Sequence, residues 1–279
     1  MAGASAAGNA AEPPPAALVI PAWNEAETIG AVLDEVPRGV VRWIFVVAGA
    51  STDATAAIAA ARGACVLGQA RPGYGAACLA GAAAAERAGA AIIAFLDGDY
   101  SDPPAELPRV LAPLLQGTAD LVLGCRDLAA HPAALPLHAR AGNRLVLLAL
   151  HGLLGQRLHD LPSFKAIRLE ALLCLELREM TYGWTVELVV KAVRAQLRIV
   201  EMPVAYRPRL AGRSKVSGTL RGSVGAAWKL ISCALHYACW SPSWAPAGPG
   251  TREERNVPLE PRARSDGRTA DATHHRSAG

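Results

Sequence analysis

Short apolar runs recur along this chain, and most are followed by a stretch with the three-and-four spacing of an amphipathic helix. The runs ALVIPA (17–22), WIFVVA (43–48), CVLGQ (65–69), AAIIAFLD (90–97), DLVLGC (120–125) and RIVEMPVAYR (198–207) predict strands. The stretches EAETIGAVLDEV (25–36), STDATAAIAAARG (51–63), GYGAACLAGAAAAERAG (73–89) and PAELPRVLAPLLQG (104–117) predict helices between them. Strand alternating with helix predicts an α/β fold, a mainly parallel central sheet with helices on both faces. The pattern holds over residues 16–240, expected to be one domain. Residues 1–15 and 241–279 lack periodicity and are expected to be disordered tails.

Composition narrows the class. Hydrophobic residues make up 52% of the 279 and charged residues 19%, enough for a substantial core. A net charge of +4 gives no reason to expect nucleic acid as a partner. The six cysteines form no CxxC pair and sit mostly in apolar runs, so they are expected to be buried, reduced thiols in a cytoplasmic protein. The first residues lack the basic and apolar regions of a signal peptide. No run reaches the ~20 apolar residues of a membrane-spanning helix. SVGAAWKLISCALHYACW (223–240) comes nearest, interrupted by Lys229 and His236. Its stripe of Trp228, Ile231 and Leu235 fits either peripheral contact with the cytosolic membrane face or packing on the domain.

In α/β sheets, ligands bind beyond the carboxyl ends of the strands. There the fourth run ends in FLDGDYSDPP (95–104). Residues two apart in an extended segment point to one side, so Asp97 and Asp99 are expected to converge. Gly98 between them would let a ligand approach the backbone. Two carboxylates and the oxygens of a diphosphate suit Mg²⁺ or Mn²⁺. Asp102, before Pro103 and Pro104, reads as a helix cap. GYGAAC (73–78) approaches a dinucleotide fingerprint, but Cys78 replaces the last glycine and this is not the first strand–helix pair.

Taken in order, VIPAWNEAETI, STDAT, RPGYGAACLAG, FLDGDYSDPP, DLVLGCR, TYGWTVEL and GRSKVSG resemble the family 2 glycosyltransferases, inverting enzymes of the GT-A fold. The nearest branch resembles the dolichyl- or polyprenyl-phosphate sugar synthases. The resemblance implies transfer of a hexose from a nucleotide-diphosphate sugar to a polyprenyl phosphate. A soluble hydroxyl acceptor is one alternative, and a weakened nucleotide-sugar-binding protein is another. It implies that Pro21, Ala22 and Glu25 line the nucleotide pocket and that Gly73 and Gly75 form a turn beside the nucleotide. Asp97 and Asp99 would hold the metal and diphosphate. Arg126, Arg140, Arg213 and Lys215, with Ser214, would form the cationic side, and Glu187 would lie near the acceptor. Where the family carries a base-contacting aspartate after the second strand, this chain has Ala48. A lipid phosphate, largely ionised at neutral pH, needs no general base. A hydroxyl acceptor would need one, with Glu187, Asp160 and Asp102 as candidates.

Overall fold

The computed structural model describes residues 15–49, 51–129, 131–211 and 220–242. Both expected tails fall almost wholly outside this set, as do Arg213, Ser214 and Lys215.

All six expected strands form: β1 (Ala16–Pro21), β2 (Trp43–Val47), β3 (Cys65–Leu67), β4 (Ile92–Phe95), β5 (Leu121–Asp127) and β7 (Ile199–Ala205). A seventh, β6 (Lys165–Arg168), is short and charged at both ends, and no apolar run announced it. The sheet order is β3-β2-β1-β4-β6-β5-β7. β6 pairs antiparallel with both β4 and β5, while every other pairing is parallel. The remaining strands therefore bring their carboxyl ends to one edge.

Both faces of the sheet are covered, which is why its strands read as near-continuous apolar runs. In β1, Ala17 and Val19 face one layer while Leu18 and Ile20 face the other. The first layer contains α3 (Tyr74–Ala88), with Ala77, Cys78 and Ala85, and α7 (Trp184–Arg194), with Trp184 and Leu188. The second contains α1 (Ile29–Glu35), α2 (Thr55–Ala61) and α4 (Leu107–Leu115). A short α6 (Leu169–Cys174) follows β6. Small residues let α3 lie close to the sheet: a Cβ on Gly81 would collide with Val19.

Two long helices stand apart from this strand–helix alternation. α5 (Leu137–Leu154) and α8 (Leu220–Tyr237) pack on each other and on α7 through Val146, Leu150, Val186, Val190, Ala227 and Ala234. The expected stripe on α8 divides: Ile231 packs into this cluster, whereas Trp228 and Leu235 are 73% and 57% exposed. No helix among the described residues is long and apolar enough to cross a membrane. The cysteines also depart from expectation. Cys78 and Cys233 are buried, but Cys65, Cys174 and Cys239 are exposed, and all six are free thiols.

Candidate active site

A cavity of about 800 Å³ opens at the carboxyl edge of the sheet. Pro21 and Ala22 line it from the end of β1, Val47 from β2, Asp97 to Asp99 from the turn after β4, and Arg126 from β5. Gly73 and Tyr74 line it at the start of α3, and Tyr206 and Arg209 do so beyond β7. Apolar side chains also line it, among them Leu135, Ala139, Leu161, Val186, Ala227 and Leu230.

The loop after β1 is held by the segment after β2. Asn24 N–H donates to Ser51 Oγ at 3.0 Å, Glu25 N–H to Thr55 Oγ1 at 2.8 Å and Ala26 N–H to Asp53 Oδ2 at 3.1 Å. The STDAT stretch is thus a brace that fixes Ala22 and Glu25 at the cavity wall. Ala48 is buried at the end of β2 among the residues of the second layer, and its methyl lies outside the cavity lining.

The acidic turn is more closely bound than its sequence suggested. Gly98 lines the cavity, and a Cβ there would also meet the Ala22 Cβ at 3.3 Å, so this glycine lets the β1 loop pack closely on the turn. Thr28 Oγ1 donates to Gly98 O at 2.7 Å, and Tyr100 takes a left-handed φ of 68° that bends the chain back. Asp99 Oδ1 accepts from Ser101 N–H (3.0 Å) and Ser101 O–H (2.6 Å), while its Oδ2 pairs with Arg209 Nη1 at 2.7 Å. Asp97 Oδ1 is buried and has no hydrogen-bond partner among the described residues. Burial, reinforced by the nearby Asp99 and Asp102, pushes the Asp97 carboxyl up to about 7.

A buried acceptor left unpaired costs on the order of 1–3 kcal/mol, more for a charged group, so Asp97 is a group that lacks its partner. A divalent cation is the partner that fits. Among the described residues no three His, Cys, Asp or Glu side chains converge as a self-sufficient metal site. An ion between Asp97 and Asp99 would need oxygens from the ligand, as Mg²⁺ and Mn²⁺ sites on phosphates do.

Asp102 is not a helix cap. It is fully buried, the helix begins at Pro104 without a side-chain cap, and Asp102 Oδ2 accepts from Ser163 Oγ at 2.7 Å. Burial pushes its carboxyl up to about 6, with Ser163 opposing. Behind the acids lies Lys165, the first residue of β6, fully buried, donating to Thr185 Oγ1 at 3.1 Å beneath the face of Trp184. Its burial lowers its pKa, with the acids resisting. Arg126 is gripped by Asp160, with Nε donating to Oδ2 at 2.8 Å and Nη2 to Oδ1. Asn143 Nδ2 donates to the same Asp160 Oδ1 at 2.9 Å.

Three expected site residues lie elsewhere. Glu187 is fully buried outside the cavity lining and accepts from the Arg178 and Glu179 N–H groups. It also pairs with Lys191 at 2.8 Å, so it holds a loop and cannot take an acceptor proton. Arg140 is not among the residues that line the cavity; it donates Nε to Leu135 O at 2.9 Å. A Cβ on Gly75 would collide with Glu179 O, so this glycine seats the 179–181 segment rather than a nucleotide. Gly73 does line the cavity, with φ at 135°. Arg209 and Lys165 were missed. Arg209 stands in RPRLAGRSK beside the more conspicuous Arg213, and Lys165 begins a strand that the sequence did not signal.

The chain is similar to several known proteins. It is 41% identical over 221 residues to an uncharacterized glycosyltransferase of Mycobacterium tuberculosis, covering 77% of this chain and 97% of that protein. It is 30% identical over 223 residues to the undecaprenyl-phosphate mannosyltransferase of Micrococcus luteus, covering 73% and 88%. Among solved structures it resembles glucosyl-3-phosphoglycerate synthase from Mycobacterium tuberculosis in complex with Mn²⁺, uridine-diphosphate-glucose and phosphoglyceric acid. That match has a TM-score of 0.65 and 26% identity, covering 82% of this chain and 81% of the other. The family model for glycosyl transferase family 2 matches residues 17–172, from β1 through the acidic turn into α6, and the chain belongs to that family.

Proposed function

We propose that this glycosyltransferase moves a hexose from a nucleotide-diphosphate sugar to a polyprenyl phosphate, inverting the anomeric centre, with Mg²⁺ or Mn²⁺ held by Asp97 and Asp99. The observation that carries the acceptor is the apolar part of the cavity lining. Leu135, Leu161, Val186 and Leu230 line the same space as Arg126. An isoprenoid chain would bury those surfaces at roughly 25 cal/mol per Å², whereas a small polar acceptor would leave them wet.

The donor end is formed by Pro21, Ala22, Glu25 and Gly73, with the diphosphate directed to the acidic turn. When bound, the cation supplies Lewis-acid stabilisation of the charge on the departing diphosphate. Arg126 offers a planar guanidinium to the acceptor phosphate, and Asp160 fixes its orientation. A phosphate monoester with a second pKa of about 6 attacks without a general base. The three carboxylates considered as bases fit that economy: Asp160 is committed to Arg126, Asp102 to Ser163 and Glu187 to Lys191. Peripheral membrane contact is part of the same reading, supported by exposed Leu145 and Leu148 on α5 and Trp228 and Leu235 on α8.

Phosphoglyceric acid in the similar synthase structure favours a second reading, a soluble phosphate-bearing acceptor. Incubation with labelled UDP- and GDP-hexoses separates the two. Transfer of label to undecaprenyl phosphate, dependent on Mn²⁺ and abolished by EDTA, is the expected result. Label appearing on 3-phosphoglycerate instead overturns the lipid reading.

A further inference from the structure

We infer that Arg209 is a phosphate-binding residue that Asp99 holds in reserve: metal and nucleotide together move its guanidinium from the carboxylate to the diphosphate. This rests on the reading that Asp97 and Asp99 hold the cation.

Asp99 has two oxygens and both are taken. Oδ1 serves Ser101, which shapes the turn, and Oδ2 serves Arg209 at 2.7 Å. The Asp99 side chain is 4% exposed, so little water screens that pair. A cation joining Asp99 through Oδ2 meets a guanidinium already there, and two positive groups cannot share one carboxylate oxygen without strong repulsion. Arg209 must then give way, but its backbone is tethered. Two residues earlier, Arg207 N–H donates to Ser101 O at 2.9 Å. The Arg207 side chain forms a two-pronged pair with Glu35 at 2.7 and 2.8 Å and lies over the Tyr100 ring. The displaced side chain stays at the cavity it already lines. The diphosphate arriving with the metal offers what it has lost, an anionic oxygen, with a second beside it for the other arm of the guanidinium.

Metal alone must compete with Arg209, whereas metal with nucleotide gives Arg209 a new partner. Binding of the two is therefore cooperative through this side chain, and coupling of this kind commonly reaches 5–150-fold.

Mn²⁺ binding to the full-length protein, read from the electron paramagnetic resonance of the free ion, tests the inference. It is measured without nucleotide and with saturating UDP or GDP, whichever binds. Arg209→Ala should bind Mn²⁺ alone about tenfold more tightly than the unaltered protein. The nucleotide should then enhance Mn²⁺ binding much less. Arg209→Gln, which keeps the bulk, should behave alike. Arg109→Ala removes an equal charge away from Asp99 and should change neither quantity. Unchanged or weaker Mn²⁺ binding in both Arg209 variants, or full nucleotide coupling in them, overturns the proposal. Asp97→Asn binding Mn²⁺ as the unaltered protein does would instead overturn the metal site on which the proposal rests.

Discussion

Asp160 holds Arg126 at three points, accepting from its backbone N–H at 3.0 Å as well as from Nε and Nη2. Both side chains are largely buried, at 16% and 9% exposure for Arg126 and Asp160. Removing one partner of such a pair leaves the other charge uncompensated, at a cost of about 3–5 kcal/mol. Asp160→Asn should lower stability by about that amount in urea denaturation. The pair also sets a pH dependence. Burial alone would raise the Asp160 pKa, but the Arg126 hydrogen bond and charge hold it below the usual carboxylate value. The stabilisation is therefore present above the unfolded pKa of about 3.9 and lost as pH falls through the lower folded value. The unaltered protein should lose stability more steeply below about pH 4 than the Asn variant does.

Glu187 should behave as a structural residue. Glu187→Gln removes the charge that Lys191 faces and should lower the urea midpoint markedly. The folded fraction should keep its nucleotide affinity and its transfer rate. A stable variant with a collapsed rate would return Glu187 to the reaction.

Gly75 makes a packing prediction. Gly75 and Ala76 N–H groups donate to Thr181 O and Met180 O, at 3.2 and 2.9 Å. Gly75→Ala should force these strands of backbone apart, costing on the order of 1–3 kcal/mol as overpacking does. Thermal unfolding should show a fall of several degrees. Gly89→Ala is the comparison: it has room for a Cβ, but its φ of 83° penalises the substitution through backbone strain alone.

For the proposed membrane contact, Trp228→Ser and Leu235→Ser together should weaken co-sedimentation with vesicles of mixed neutral and anionic phospholipid. Transfer to a short-chain, water-soluble polyprenyl phosphate should persist. Equal co-sedimentation of variant and unaltered protein would remove α8 from the membrane.

The sheet and its first helices were legible because β1, β4 and the first half of β5 are buried on both faces, which writes an uninterrupted apolar run. The rule that ligands lie beyond the strand ends then led to Asp97, Asp99 and Arg126. That rule failed where direction reverses. β6 runs opposite to its neighbours, so it is its first residue, Lys165, that reaches the acidic cluster. α5 went unnoticed because it packs on α8 and α7 rather than returning to the sheet, and the strand–helix grammar does not require it. For Glu187 and Arg140 the residue type was suggestive, but partners close in space and distant in sequence decided the role.

The tie between Glu35 and Arg207 joins residues 172 positions apart, and Tyr100 of the acidic turn contacts both. During synthesis the chain therefore carries Asp99 long before Arg209, the residue that pairs with it, arrives. A nascent protein that has emerged only as far as α7 has its sheet nearly built, but lacks both Arg207, which braces the turn, and Arg209, which neutralises Asp99. The carboxyl edge of the sheet is completed only by the last strand and the residues after it, so a chain released early can look folded in its core and still lack the groups that brace and pair the acidic turn.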